Sequence, residues 1–397
     1  MAPTVNYWQA GLNSRYYETI TMRRPSLKPS HAMNIIGPSP ARKENSEIMQ
    51  ASRKLTHASL ALFALIAISA GALAQAPRGV SAGPGASPHP QSEVGDRNGG
   101  SLLFYNYYTS GMADSGGQNT RVNITNTNNT SSVFVHLFFV NADDCSAADS
   151  FICLTPNQTA SFLASDVDPG TTGYIIAVAS DAAGRPVVFN HLIGDEYVKL
   201  TSGHAANLGA EAFAALGPAG ALVGCDSNSI SAVLSFNGAV DGYSRAPRAL
   251  ALDNFSSPVD GADTLLIINR VGGDLTSGGG AEIGPLTGLV YGDAEASGSF
   301  SFAVDRCQFQ GSITSSFPRT TPPISSLVPS GRGGWLKFFS QADNAYLGAA
   351  IVMNANQDTL RAFNGGHNLH KLTLAANAQI TIPVFPPDCQ GQFGGVN

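Results

Sequence analysis

The chain has 397 residues, of which 43% are hydrophobic and 13% are charged, and its formal net charge at pH 7 is -6. This length predicts about two domains. The apolar content excludes a charge-driven disordered chain, and the acidic balance excludes a nucleic-acid-binding surface, which needs a basic face.

An apolar run near the N-terminus predicts export. Residues 60–73 carry no charge, follow Arg53 and Lys54, and precede Ala74-Gln75-Ala76. This order is typical of a secretory signal peptide over residues 49–76, cleaved between Ala76 and Pro77 or, alternatively, after Ala74. The run of 14 residues is shorter than the roughly 20 that a membrane-spanning helix needs. We therefore expect an extracellular or cell-envelope protein that contacts the membrane only through an uncleaved signal segment.

Residues 1–48 precede a signal peptide of ordinary length, so we interpret them as a mis-assigned or non-native extension, with translation starting at Met49. Arg23-Arg24 resembles a twin-arginine export motif, but the apolar run begins more than thirty residues later, which favours a chance match. Residues 77–100 are rich in Pro, Gly and Ser and predict a flexible linker. Without residues 1–76, 14 basic and 25 acidic residues remain, so the net charge becomes -11.

The cysteines fit an oxidising compartment, where disulfides form. Cys145 and Cys153 flank a short acidic, turn-rich segment and are predicted to pair, with Cys307–Cys389 as the second pair. Cys225 is then the fifth thiol, either free or bonded to another chain. A metal site is the disfavoured alternative, because the chain has no C-x-x-C motif.

Short apolar or alternating runs bounded by turn residues predict an all-β chain. The first set comprises residues 102–109, 119–126, 132–140, 151–155, 158–164, 172–180, 186–192 and 195–200. The second set comprises residues 229–236, 263–270, 285–293, 298–304, 308–314, 333–340, 346–353 and 379–385. Residues 126–132 predict a hairpin turn between the second and third runs, and the Ala-rich segment 208–216 predicts a short helix.

The two sets contain similar segments, which predicts an internal duplication. A Pro-Gly turn leads into Tyr174 and an apolar strand, and Pro329-Ser330-Gly331 leads into Trp335 and another. Each segment then has a turn ten residues after its aromatic residue, followed by a Gly-His pair. We expect two tandem antiparallel β-sandwich domains, over residues 101–222 and 223–397.

The segments 119–127 and 168–174 resemble exported bacterial proteins of unknown function built from immunoglobulin-like and fibronectin-like modules. The resemblance covers residues 101–205. It implies a β-sandwich in an extracellular setting and contributes no catalytic residue.

Motifs that carry chemistry are weak in this chain. Residues 79–83 match G-x-S-x-G but lie in the linker, without the strand and helix that a nucleophile elbow requires. His367 and His370 have H-x-x-H spacing without the glutamate of a zinc helix, so we interpret them as polar loop or strand-end residues. His136 is predicted to be a neutral histidine in an apolar strand. We expect no cofactor and no metal.

Two acidic groups and one aromatic group are candidate binding sites. The acidic groups, Asp143/Asp144/Asp149 and Asp260/Asp263, lack the ligand periodicity of a calcium loop and are interpreted as solvated turn carboxylates. Phe104, Tyr105, Tyr107 and Tyr108 are candidates for a sugar-stacking platform, although alternation sends them to two faces of a strand.

We therefore predict a secreted or cell-surface protein with a structural, adhesive or binding role and no catalytic site. An extracellular carbohydrate-binding protein is the first alternative, and a secreted hydrolase with its site between the two domains is the second. Surface glycans and other cell-surface proteins are the candidate partners, and nucleic acid is excluded.

Overall fold

The computed structural model describes residues 94–111, 117–354, 364–374 and 378–389. All of them belong to one compact unit, Ala76–Asn397. The signal segment, most of the predicted linker and the G-x-S-x-G match lie outside the described residues. In this part of the chain no helix has the length and apolar character needed to span a membrane.

The described residues are mostly β-strand, which confirms the predicted all-β class. The strands of the first part of the chain are β1 (Leu102–Thr109), β2 (Asn119–Asn126), β3 (Val133–Asn141), β4 (Ala147–Leu154), β5 (Thr159–Leu163), β6 (Thr172–Ser180), β7 (Leu192–Lys199), β8 (Ala205–Gly209) and β9 (Glu211–Phe213). Next come β10 (Ser231–Phe236), β11 (Pro247–Ser256), β12 (Ala262–Val271), β13 (Gly273–Asp274), β14 (Gly279–Gly280), β15 (Gly284–Gly292), β16 (Ser297–Val304) and β17 (Gln308–Ile313). A short helix α1 (Ile324–Leu327) precedes β18 (Gly333–Phe339), β19 (Ala345–Asn354), β20 (Gly365–Asn368), β21 (His370–Leu374) and β22 (Ala378–Pro383).

These strands form five sheets. Sheet 1 has the order β4-β3-β6-β1-β9, sheet 2 the order β5-β2-β7-β8, and sheet 3 the order β10-β22-β13-β14. Sheet 4 has the order β16-β15-β18-β11-β21, and sheet 5 the order β17-β12-β19-β20. All strand pairs are antiparallel except β13 with β22.

Side-chain patterns explain how deeply the strands are buried. In β2, Val122 and Ile124 are fully buried while Arg121 is exposed, as expected of a strand with one packed face and one wet face. In β3, a nearly continuous apolar sequence lies between β4 and β6, and almost every residue is buried. The central strands therefore have packed layers on both faces.

The predicted duplication is visible in the strand order. If β1–β9 are matched in chain order to β11, β12 and β15–β21, sheet 1 has the same order as sheet 4, and sheet 2 has the same order as sheet 5. We call β1–β9 the first repeat and β11, β12 and β15–β21 the second repeat. The hairpin β13–β14 is inserted in the second repeat, and sheet 3 has no equivalent in the first.

The match between the repeats extends to single contacts. The pairing of β1 with β6 shifts register between Tyr105 and Tyr108, and that of β11 with β18 shifts between Leu252 and Phe255. A serine follows each bulge region by two residues, and its side chain bonds to the turn that precedes the paired strand, β6 or β18. Ser110 Oγ donates to the main-chain oxygen of Asp168, and Ser257 Oγ donates to that of Val328 at 2.8 Å.

Four apolar clusters show how the sheets pack. Sheets 1 and 2 enclose one cluster that includes Leu103, Ile124 and Phe139, and sheets 4 and 5 enclose another that includes Leu252, Leu266 and Phe338. The other two clusters join the repeats. One contains Phe104 and Val178 of sheet 1, Val271 and Leu347 of sheet 5, and Phe236 and Ile380 of sheet 3. The other contains Val198 and Leu208 of sheet 2 and Ile267 and Ile351 of sheet 5.

Both disulfides link the first repeat to later parts of the chain, so the predicted pairing is wrong. Cys145 pairs with Cys307 at a Cα–Cα distance of 5.3 Å, and Cys153 pairs with Cys389 at 5.9 Å. The prediction used nearness in sequence, but β4 carries Cys153 away from the loop that holds Cys145. The same four cysteines are bonded and Cys225 is free, as expected.

Four local predictions need correction. Residues 208–216 form no helix but contribute to β8 and β9, because pairing with β7 and β1 outweighs the helix preference of alanine. The segment 126–132 is not a hairpin turn, since β2 belongs to sheet 2 and β3 to sheet 1. The segment 186–191 is not a strand, since only Pro186 and Val187 form isolated bridges, and β7 begins at Leu192. Residues 94–100, placed in the linker, pack on the fold, with Val94 buried and Gly95 and Gly100 bridged to other strands.

Candidate functional site

The bulge in β1 leaves main-chain groups without partners in the sheet. The N–H of Tyr107 donates to Oε1 of the buried Glu196 at 3.1 Å. The main-chain oxygen of Asn106 accepts a hydrogen bond from Asn269 Nδ2 of β12 at 2.8 Å. The unpaired main-chain groups of the bulge are therefore bonded by one side chain of the first repeat, Glu196, and one of the second, Asn269.

A chain of side-chain amides continues from this bulge through the protein. Gln308 Nε2 donates to Asn269 Oδ1 at 2.8 Å and to the main-chain oxygen of Gly173 at 2.9 Å. At one end, Gln310 Nε2 donates to Gln308 Oε1 at 2.6 Å. At the other end, Asn106 Nδ2 donates to Asn368 Oδ1 at 2.9 Å. Asn106, Asn269 and Gln308 are buried, while Gln310 is exposed, so the chain begins at the surface.

That surface is a groove between the two repeats, which we call the junction groove. It has a volume of about 660 Å³ and is lined by residues 141–143 and 170–172 of the first repeat and by residues 303–306 and 308–310 of the second. Both repeats are needed to form it. Because Gln310 lines the groove and bonds to Gln308, the groove wall is continuous with the buried amides.

The junction groove carries charges of both signs. Arg306 Nη1 lies 2.6 Å from Asp143 Oδ1, and both side chains are more than half exposed. An exposed ion pair contributes little to folding stability, so both groups can exchange this partner for a ligand at small cost. Asp305 adds a second exposed carboxylate from the second repeat.

The junction groove is held by rigid connections. The Cys145–Cys307 disulfide joins the loop after β3 to the residue before β17. Next to it, the N–H of Cys307 donates to the main-chain oxygen of Ala142 at 3.1 Å. The two walls are thus fixed relative to each other by a covalent bond and a main-chain hydrogen bond, which favours a preformed site.

Two buried carboxyl groups lie outside this groove. Burial raises the pKa of Glu196 well above its ordinary value, and the N–H groups of Tyr107 and Asn106 oppose this shift. Burial also raises the pKa of Glu211, which the ion pair with Lys371 opposes. Neither residue lines the junction groove, so neither can act as a general acid there.

The structure places His136 apart from His367 and His370, which share one carboxylate. His136 is fully buried, and its Nε2 lies 2.9 Å from Asp149 Oδ2. Burial lowers the pKa of His136, and Asp149 opposes this shift. His367 and His370 lie on β20 and β21, and each contacts a different carboxylate oxygen of Asp253, at 3.1 and 3.3 Å. Within the described ranges no group of three or more His, Cys, Asp or Glu residues is placed to hold a metal ion.

The proposed aromatic platform is not accessible. Phe104, Tyr105 and Tyr108 are completely buried, and Tyr107 is 4% exposed. Both faces of β1 are packed, one within sheets 1 and 2 and the other against sheet 3. These rings are therefore core residues and cannot stack on a sugar.

Four of the five predicted acidic residues have protein partners. Asp143 pairs with Arg306, Asp144 accepts hydrogen bonds from Ser146, and Asp149 contacts His136. Asp260 accepts from Ser330 and from the N–H of Gly331 at 2.7 Å. These contacts account for four of the acidic residues as turn and strand groups. Asp263 differs, because its Oδ1 is buried without a hydrogen-bond partner within the described part of the chain.

Sequence reasoning missed Asn269, Gln308 and Arg306. An amide side chain inside an apolar strand, as at Asn269 in Leu-Leu-Ile-Ile-Asn, was a usable signal, because buried polar groups need hydrogen-bond partners.

Comparison of the chain with protein-family models, curated proteins and solved structures finds no match.

Proposed function

We propose that this chain is an exported protein of two immunoglobulin-like β-sandwich repeats that binds a charged, polar ligand in the junction groove. The ligand class that fits best is a peptide segment of another cell-surface protein. A peptide carries amide groups and charges of both signs, which match Gln310, Arg306 and Asp143.

The observation that carries this proposal is the groove that both repeats build and a disulfide fixes. Two disulfides in one chain favour an oxidising environment. The signal-peptide pattern at residues 49–76 supports export, and the resemblance of residues 101–205 to exported bacterial proteins supports the immunoglobulin-like assignment.

Export is tested by identifying the N-terminal peptide of the native protein in the culture medium and in the cell envelope. The proposal expects an N-terminus at Pro77. A protein that retains Met1 or Met49 in the cytoplasm contradicts export.

Binding is tested by selecting a displayed random-peptide library against the oxidised protein. The selected peptides are then measured against Arg306→Ala and against Arg332→Ala, which changes another exposed arginine paired with an aspartate. The proposal expects Arg306→Ala to weaken binding about tenfold and Arg332→Ala to leave it unchanged. Equal affinity for the two variants, or no selected peptide, overturns the assignment of the junction groove.

A further inference from the structure

A second groove lies on the first repeat, away from the junction. It has a volume of about 730 Å³ and is lined by residues 128, 131–134, 180–182, 187–191, 217 and 219–220. We call it the lateral groove. None of its lining residues belongs to the junction groove, so the two are separate sites.

Aromatic rings form part of the lateral groove. Phe134 and Phe189 are half-buried and His191 is exposed, so each ring has surface left uncovered by the fold. The rings of Phe189 and His191 meet edge to face with their centroids 5.2 Å apart. This packing holds the two rings in place, which lowers the entropy lost when a flat ligand ring stacks on them.

Small polar groups lie on another part of the wall. Asn128 Oδ1 accepts from the N–H groups of Thr130 and Ser131, both at 2.9 Å, which fixes the amide. The side-chain hydroxyls of Ser131 and Ser132, both exposed residues, form no hydrogen bond within the described part of the chain. Hydroxyls of this kind can donate to a ligand or accept from it.

The lateral groove offers no uncommitted carboxylate. Asp181 is its one carboxylate, and Arg185 donates to Asp181 Oδ2 through Nε at 2.8 Å and through Nη2 at 2.6 Å. Asp181 Oδ1 accepts from the N–H groups of Ala183 and Arg185. Its hydrogen bonds are therefore made within its own turn, and a cationic ligand would find no free carboxylate in this groove.

From this combination we infer that the lateral groove binds a neutral carbohydrate. A sugar ring presents an apolar face that suits the aromatic rings and hydroxyl groups that suit Asn128, Ser131 and Ser132. The inference does not depend on the proposed peptide ligand, whose site carries exposed charges.

The experiment uses the oxidised protein with maltohexaose, cellohexaose and N-acetylchitohexaose as neutral probes and hexagalacturonate as the charged probe. Binding is followed by saturation-transfer difference NMR and isothermal titration calorimetry. The tested variants are His191→Ala, at an exposed position, and Phe189→Leu, which keeps apolar bulk and removes the ring. Gln310→Ala, in the junction groove, is the matched control.

The expected result is saturable binding of at least one neutral oligosaccharide, about tenfold weaker in His191→Ala and in Phe189→Leu and unchanged in Gln310→Ala. Equal melting temperatures show that the variants are folded. Absence of binding by all three neutral probes, equal affinity across the variants, or preference for hexagalacturonate overturns the inference. Loss of oligosaccharide binding in Gln310→Ala alone would also overturn it, because the site would then be the junction groove.

Discussion

The side-chain amide of Asn269, in the second repeat, donates a hydrogen bond of 2.8 Å to the main-chain oxygen of Asn106, in the first repeat. Both residues are completely buried. The acceptor is available because the bulge in β1 removes two residues from regular pairing with β6. In the second repeat the equivalent bulge, between Leu252 and Phe255, leaves Asp253 and Asn254 exposed. The same backbone irregularity therefore joins the repeats at one position and faces solvent at the other.

Replacing Asn269 by leucine is expected to destabilise the protein by about 1–3 kcal/mol. The change keeps side-chain size but removes two buried hydrogen bonds, the one that Asn269 donates to the Asn106 oxygen and the one that it accepts from Gln308. The Asn106 oxygen then keeps only the longer bond from Gln308 Nε2, at 3.1 Å. Chemical denaturation measures the loss. Gln310→Ala, at the exposed end of the same amide chain, is the control and should change stability by less than about 0.5 kcal/mol. Equal effects of the two substitutions would show that the buried amides contribute no more than a surface contact.

Glu196→Gln is expected to stabilise the protein at pH 8 and to have a smaller effect near pH 4.5. Burial raises the folded-state pKa of Glu196 above its ordinary value of 4.5, so ionisation above that pH favours the unfolded chain. Glutamine keeps the oxygen that accepts from Tyr107 and cannot ionise. Denaturation of both proteins from pH 4.5 to 8 measures the difference. A difference that does not grow with pH would contradict a raised pKa.

His136 is expected to make the protein sensitive to acid. Burial holds its folded-state pKa below the ordinary 6.5, so the stability it contributes is complete above pH 6.5 and is lost as pH falls through the folded pKa. His136→Phe, which keeps a ring beside Phe138 and Phe151, should flatten the dependence of melting temperature on pH between 7.5 and 5. The exposed His191→Ala is the comparison and should retain the slope. If His136→Phe and the unaltered protein have the same slope, another group causes the acid sensitivity.

Removing either disulfide is expected to lower stability by about 2–5 kcal/mol, because each closes a long loop. The bonded residues are 162 apart for Cys145–Cys307 and 236 apart for Cys153–Cys389. The paired variants Cys145→Ser/Cys307→Ser and Cys153→Ser/Cys389→Ser are compared by calorimetry with Cys225→Ser, which should be close to neutral. Peptide mapping without reductant gives a direct check, and recovery of a Cys145–Cys153 peptide would refute the observed pairing.

The sequence predicted local structure better than long-range structure. Alternation in β2 and the continuous apolar run of β3 were sufficient to place both strands, since burial follows directly from these patterns. β11 was missed because Pro247 and three alanine or arginine residues dilute its apolar signal, although Leu250 and Leu252 alternate correctly. The repeated Pro-Gly turns and aromatic strands did identify the duplication that appears in the sheet order.

Partners distant in sequence could not be predicted in the same way. The Cys145–Cys307 bond and the contact of Gln308 with Asn269 depend on how the two repeats pack, and no local pattern encodes that arrangement. The grooves were missed for the same reason. Arg306 and Asp143 are 163 positions apart and ordinary in sequence, and only the packing of the repeats makes them neighbours.

The loops closed by the two disulfides overlap, since Cys153 lies between Cys145 and Cys307, and Cys389 lies beyond both. Any single cut of the main chain between residues 145 and 389 therefore leaves the two fragments covalently attached. A protease that cuts an exposed turn in this region adds one water molecule and leaves a single covalent molecule. The two fragments separate only after the disulfides are reduced. This arrangement tolerates a single cut of the backbone without loss of either repeat.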